Sequence, residues 1–94
     1  MTGKTIYERA LEKWGTEKQT LMCIEELSEL IQALVKYGRK INGSNKRKIA
    51  EEIADVELMI EQMKVAFDIH KEVNNFKIKK IQRLENYLDE CFSH

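Results

Sequence analysis

Two short acidic clusters hold the residues of this chain best suited to chemistry: Glu25-Glu26-Leu27-Ser28-Glu29 and, further on, Glu51-Glu52-Ile53-Ala54-Asp55. Each sets two carboxylates three residues apart, Glu26 with Glu29 and Glu52 with Asp55. On an α-helix that offset places both side chains on one face, one turn apart. Two such faces brought together make a cage of oxygen ligands, the donor set of a hard divalent cation such as Mg²⁺ or Mn²⁺. Other metals fit less well. A di-iron carboxylate site uses Glu-x-x-His, and neither cluster holds a histidine. Zinc needs cysteine or histidine. His70 and His94 lie far along the chain and read as surface or helix-end residues. Cys23 and Cys91 have no metal-ligand spacing and read as small, reduced packing residues.

One such cluster alone is more often a solvated face or a set of partners for lysines. Two clusters with the same offset, each beside apolar companions, favour a metal site. Unpaired like charges at that density repel, and a cation gives the arrangement a physical reason.

The elements that must position these acids are helices. Thr5-Ile6-Tyr7-Glu8 predicts a capping box opening a short helix that Gly15 ends after Trp14. Thr16-Glu17-Lys18-Gln19 predicts a second box, opening a helix to about Tyr37 with Gly38 in the left-handed conformation behind it. A polar loop from Arg39 to Ser44 follows, then a third helix capped by Ser44 or Asn45 and running to about Phe67. Asp68 is the expected cap of a fourth helix from near Ile69 to near Cys91. A break is favoured over one kinked rod because the apolar stripe changes phase there, Ile69 and Val73 leading into Ile78, Ile81, Leu84 and Leu88.

Both long helices carry two stripes. Ile24, Leu27, Ile31 and Leu34 in the second helix, and Ile49, Ile53, Val56, Ile60, Met63 and Phe67 in the third, are spaced as ordinary core seams. The other stripes mix acids with apolar residues: Met22, Glu26, Glu29, Ala33 and Tyr37, and Lys48, Glu52, Asp55, Met59, Gln62 and Ala66. A face directed to bulk water would not usually carry Met22, Ala33, Met59 and Ala66. The acids are expected to look into an interior.

Composition agrees with an all-α fold. The 94 residues include no proline and four glycines, and no alternating β-branched run is present. Sixteen Lys plus Arg balance sixteen Asp plus Glu, without the basic excess of a general nucleic-acid or acidic-membrane binder. No apolar run approaches membrane-spanning length and no targeting segment is visible, so a cytoplasmic protein is expected. A chain this short buries a limited share of its surface, and oligomerisation is a natural remedy. Basic residues gather at Arg39, Lys40, Lys46, Arg47 and Lys48, and at Lys77, Lys79, Lys80 and Arg83; most read as solvated, with one or two able to clamp a polyphosphate. Trp14 and Tyr37 read first as core or interface aromatics, although a nucleotide pocket uses such groups.

The order Glu25-Glu26-x-x-Glu29 then Glu52-x-x-Asp55, preceded by Trp14-Gly15 and Gln19 and followed by Lys79-x-x-x-Arg83, resembles the EExxE…ExxD signature of the MazG-like all-α nucleoside triphosphate pyrophosphohydrolases. The resemblance covers about residues 7 to 88. It implies one MazG-like domain over 1–94, with antiparallel helices forming a four-helix-bundle-type fold completed in a homodimer or homotetramer. It implies Mg²⁺-dependent hydrolysis of (d)NTPs between the α- and β-phosphates, giving a monophosphate and pyrophosphate. On that resemblance Glu26, Glu29, Glu52 and Asp55 are metal ligands, with Glu25 a supporting catalytic carboxylate. Lys79 and Arg83 would stabilise the leaving pyrophosphate, and Gln19 and Trp14 would contact substrate. The chain lacks the duplicated domains of full MazG proteins and the extended motifs of dimeric dUTPases. Two alternatives stand beside this reading: a non-catalytic oligomerisation module whose acids pair with Lys79, Lys80 and Arg83, and a pyrophosphohydrolase of another compound such as phosphoribosyl-ATP.

Overall fold

The computed structural model describes residues 3–92, and side chains for residues 3–90. The Cys91 side chain and His94, both considered above, lie outside the described residues. The described residues form four helices and no strand: α1 (Ile6–Trp14), α2 (Thr16–Arg39), α3 (Gly43–Phe67) and α4 (His70–Phe92). No helix among them is long and apolar enough to cross a membrane.

The capping box at α1 forms as the sequence predicts. Glu8 N donates to Thr5 Oγ1 at 3.2 Å, and Thr5 N donates to the Glu8 carboxylate at 3.1 Å. The second box does not form. Gly15, at φ 84°, is the single residue between α1 and α2, so Thr16 is already helical and cannot act as a cap. The Thr20 hydroxyl donates back to Thr16 O instead, and the Gln19 side chain is buried.

Gly38 also departs from expectation. It stays helical, α2 runs on to Arg39, and extended Lys40 ends it. The expected Ser44 or Asn45 cap is replaced by Asn42, whose Oδ1 accepts from Asn45 N at 2.8 Å. Asn45 instead reaches back, its Nδ2 donating to Lys40 O at 2.7 Å, which closes the turn between α2 and α3. Asp68 closes α3 rather than opening α4. It adopts φ 53°, ψ 52°, while Asp68 N donates to Val65 O and Ile69 N to Lys64 O, the bond pair of a Schellman motif. The break before α4 is therefore a left-handed reversal built without glycine.

α2 and α3 form an antiparallel hairpin, with Lys40 beside Asn45 at the turn and the Thr20 hydroxyl against Met63 Sδ at the far end. α1 packs across that far end, tied by Gln62 Nε2 donating to Tyr7 O at 2.9 Å. α4 touches α3 alone among the helices.

The hairpin is joined through the mixed stripes. On α2, Gln19, Cys23 and Ala33 are buried and Glu26, Leu30 and Tyr37 half-buried; on α3, Asn45, Glu52 and Gln62 are buried and Asp55, Val56 and Met59 half-buried. The apolar seam read as the core of α2 faces outward: Ile24 is 57% exposed, Ile31 61% and Leu34 50%. The reason is steric and chemical. A close helix pair accepts Cys23 and Ala33 at its contact line, and the bulkier branched residues are left on the open faces.

The chain is accordingly open. Its accessible surface is 7881 Å², where a folded monomer of this mass exposes about 5,700 Å². Its radius of gyration is 17.5 Å, against about 12 Å for a compact domain of this length.

Candidate metal centre

The antiparallel register sets the acid-bearing turn of α2 against that of α3. Glu26, Glu52 and Asp55 each offer a carboxylate oxygen, and these three oxygens lie within 4.8 Å of one another. Their surroundings are partly dry: Glu52 is 3% exposed, and Glu26 and Asp55 are half-buried.

Each oxygen of Glu52 has a different environment. Oε1 accepts from Lys48 Nζ at 3.0 Å, one helical turn earlier. Oε2 is buried and has no hydrogen-bond partner, and Glu26 Oε2 is in the same condition. Buried polar atoms are nearly always satisfied, because an orphaned one costs about 1–3 kcal/mol and more when charged. Two of the three acids in the cluster thus carry a buried, unpartnered oxygen.

Electrostatics points the same way. Burial pushes the Glu26 carboxyl above its usual range, and the neighbouring Glu29, Asp55 and Glu52 push it further. Lys48 is held more firmly protonated by its hydrogen bond to Glu52 and by Glu51, 3.7 Å away. The donor set is all oxygen, anionic and short of positive charge. A hard divalent cation fits it.

The other predicted residues divide. Glu29 is exposed, and its charge is among those that raise the Glu26 carboxyl. Glu25 is exposed and outside the cluster. Gln19 lies on the inner seam of α2, 3% exposed, its Nε2 3.6 Å from Met22 Sδ. Trp14 is 46% exposed under the Lys13 ammonium and lines a separate groove with Ile6, Arg9, Ala10 and Lys13. Lys79 and Arg83 are exposed on α4, which does not touch α2. Among the described residues no ion pair joins either of them, or Lys80, to the four acids.

A groove of about 260 Å³ opens beside the acids between α2 and α3, lined by Glu29, Gln32, Ala33, Lys36, Lys48 and Glu52. Gln32 and Lys36 escaped the sequence reading, although the signal was present. They follow Glu29 by three and seven residues, the offsets that keep a side chain on one helical face. Comparison of the chain with protein-family models, with curated proteins and with solved structures finds no match.

Proposed function

We propose that this chain is a Mg²⁺-dependent nucleoside triphosphate pyrophosphohydrolase of the MazG-like kind, hydrolysing (d)NTPs to (d)NMP and pyrophosphate. The observation that carries the reading is the three-acid cluster of Glu26, Glu52 and Asp55, two of whose members each bear a buried, unpartnered oxygen, Glu26 Oε2 and Glu52 Oε2. Those three residues would hold the ion, and Glu29 would add the fourth carboxylate of the signature that the chain resembles. When bound, Mg²⁺ supplies neutralisation of charge on the phosphate oxygens.

The remaining work belongs to the side chains. Lys48 fixes the Glu52 carboxylate through Oε1 and leaves the buried Oε2 without a protein partner. The carboxylates orient a water in line with the α-phosphorus; as its oxygen bonds to phosphorus one of the carboxylates takes its proton, the bond from the α-phosphorus to the bridging oxygen breaks, and pyrophosphate leaves.

A second copy of the chain completes the fold in this reading. The excess of about 2,200 Å² of surface over a compact monomer is what each partner of a large, obligate interface loses. The outward residues Ile24, Ile31 and Leu34 of α2 and Ile81, Leu84 and Leu88 of α4 supply its apolar part.

The test is a product assay. NTPs and dNTPs are incubated with purified protein and Mg²⁺ or EDTA, and the products are resolved by ion exchange. Monophosphate with pyrophosphate, formed only with metal, is expected. Diphosphate with orthophosphate places the cut elsewhere, and no turnover of any nucleotide removes the proposal.

A further inference from the structure

Charge changes sign along the groove between α2 and α3. At one end stand Glu26, Asp55, Glu52 and Glu29. Toward the hairpin turn, one wall supplies Lys36 from α2 and the other Lys48 from α3, with the buried Ala33 and the polar Gln32 among the lining residues. Beyond them Arg39 and Arg47 line the neighbouring hollows, which share Lys36 with this groove. Within one chain the basic pair on α4 is not brought to the acids, and the positive groups that line the groove beside the carboxylates are these lysines.

The spacing suits a polyphosphate. Lys48 lies four residues, about 6 Å of helix, from Glu52, and Lys36 lies seven residues, about 10 Å, from Glu29. Helical side chains lean toward the N-terminus, which tilts Lys36 back toward Glu29. Lys48 bonds Glu52 Oε1 at 3.0 Å and stands 3.7 Å from Glu51, and an ammonium has three donors, so one remains for a phosphate oxygen.

Resting on the metal reading above, we infer that Lys36 and Lys48 clamp the terminal phosphates of the substrate and thereby fix its direction along the hairpin. The leaving pyrophosphate lies toward the turn between α2 and α3. The nucleoside lies toward α1, at the end of the hairpin that carries Gln19, Met22, Thr20 and Met63.

Calorimetric binding of imidodiphosphate, a non-hydrolysable pyrophosphate, to the full chain with saturating Mn²⁺ tests this. Lys36→Gln is the cleaner variant because Lys36 makes no ion pair with the acids. It is expected to weaken imidodiphosphate about ten- to a hundredfold, with Mn²⁺ affinity and nucleoside monophosphate affinity unchanged. Lys48→Arg should retain binding better than Lys48→Gln. Unchanged imidodiphosphate affinity in Lys36→Gln, or a loss confined to Lys79→Gln and Arg83→Gln, overturns the clamp while leaving the metal centre standing. A wild-type protein that binds Mn²⁺ but not imidodiphosphate also overturns it. One that binds neither removes the metal reading and the clamp together.

Discussion

In the α2–α3 hairpin the side chains withdrawn from water are mostly polar: Gln19, Asn45, Glu52 and Gln62 are buried, with only Cys23 and Ala33 as apolar companions among the described residues. In α4 the opposite holds. No described side chain after Val73 is even half-buried, and Phe76, Ile78, Ile81, Leu84, Tyr87 and Leu88 all face outward. Burying polar groups contributes little net stability, and leaving two carboxylate oxygens unpartnered costs some. Exposing a row of large apolar side chains forgoes about 25 cal/mol for each Å² left wet. The two regions are therefore incomplete in different ways. The acid cluster of the hairpin carries more negative charge than its one lysine partner offsets, and α4 lacks an apolar partner.

The largest effect should come from breaking the α4 side of this contrast. Leu84 is 56% exposed in the protomer, and a substitution at a free surface changes stability by within ~0.5 kcal/mol. If a second copy covers it, Leu84→Asp buries a charge in an apolar interface and should weaken self-association by about a thousandfold or more. Sedimentation equilibrium reads the difference, and an unaltered association constant would leave α4 a free arm.

On the hairpin side, Glu52→Gln removes one of the ligands and should lower metal-dependent turnover by at least about a hundredfold. Circular dichroism should show the helices intact, since the variant relieves like-charge repulsion around Glu26. Substantial residual turnover would mean that Glu52 is structural.

Acidity sharpens the contrast further. Burial and the neighbouring acids raise the Glu26 carboxyl above its ordinary value. The folded, metal-free chain thus holds that proton more tightly than the unfolded chain. Its contribution to stability is present in acid and is lost as pH rises through the raised pKa. A cation must displace the same proton, so Mn²⁺ affinity should climb over that interval. Urea melts in EDTA across pH, run beside Glu26→Gln, measure the first trend; a slope unchanged in the variant would place its origin elsewhere.

The smallest effect is at the joint between the two regions. Asp68 sits at φ 53°, a conformation that costs a residue with Cβ about 1–2 kcal/mol, partly relieved in Asp. Asp68→Gly should raise stability by ~0.5 kcal/mol and Asp68→Val lower it by about 1–2 kcal/mol, measured by denaturant melts. Equal stabilities in all three would mean the reversal is not held in solution.

Much of this was legible in the sequence because helix periodicity is local. The acid pairs, the capping box at Thr5 and the break near Asp68 each depend on neighbours within a turn or two. That Glu26, Glu52 and Asp55 turn inward could be read from Met22, Ala33, Met59 and Ala66 beside them, whereas Glu29 of the same stripe is exposed. What the stripes could not reveal was which of two seams joins α2 to α3. Ile24, Ile31 and Leu34 looked like the core, yet the hairpin closes on Cys23, Ala33 and Glu26. That choice depends on how closely two helices approach and on what covers the other face, and neither is a property of one segment. Lys36 was missed for the opposite reason. Its offset from Glu29 was plain, but a lone lysine on a charged helix carries no weight until Lys48 is seen to share its groove.

Whether Glu26, Glu52 and Asp55 bind a cation is read by a Mn²⁺ titration followed by electron paramagnetic resonance. Free Mn²⁺ gives a sharp signal that binding broadens away, so bound ion is counted without any assumption about substrate. The wild-type protein should remove the free signal saturably, with Mg²⁺ competing, while Glu52→Gln and Asp55→Asn leave it in solution. A free signal that persists through millimolar wild-type protein, or one removed equally by all three proteins, would contradict the account.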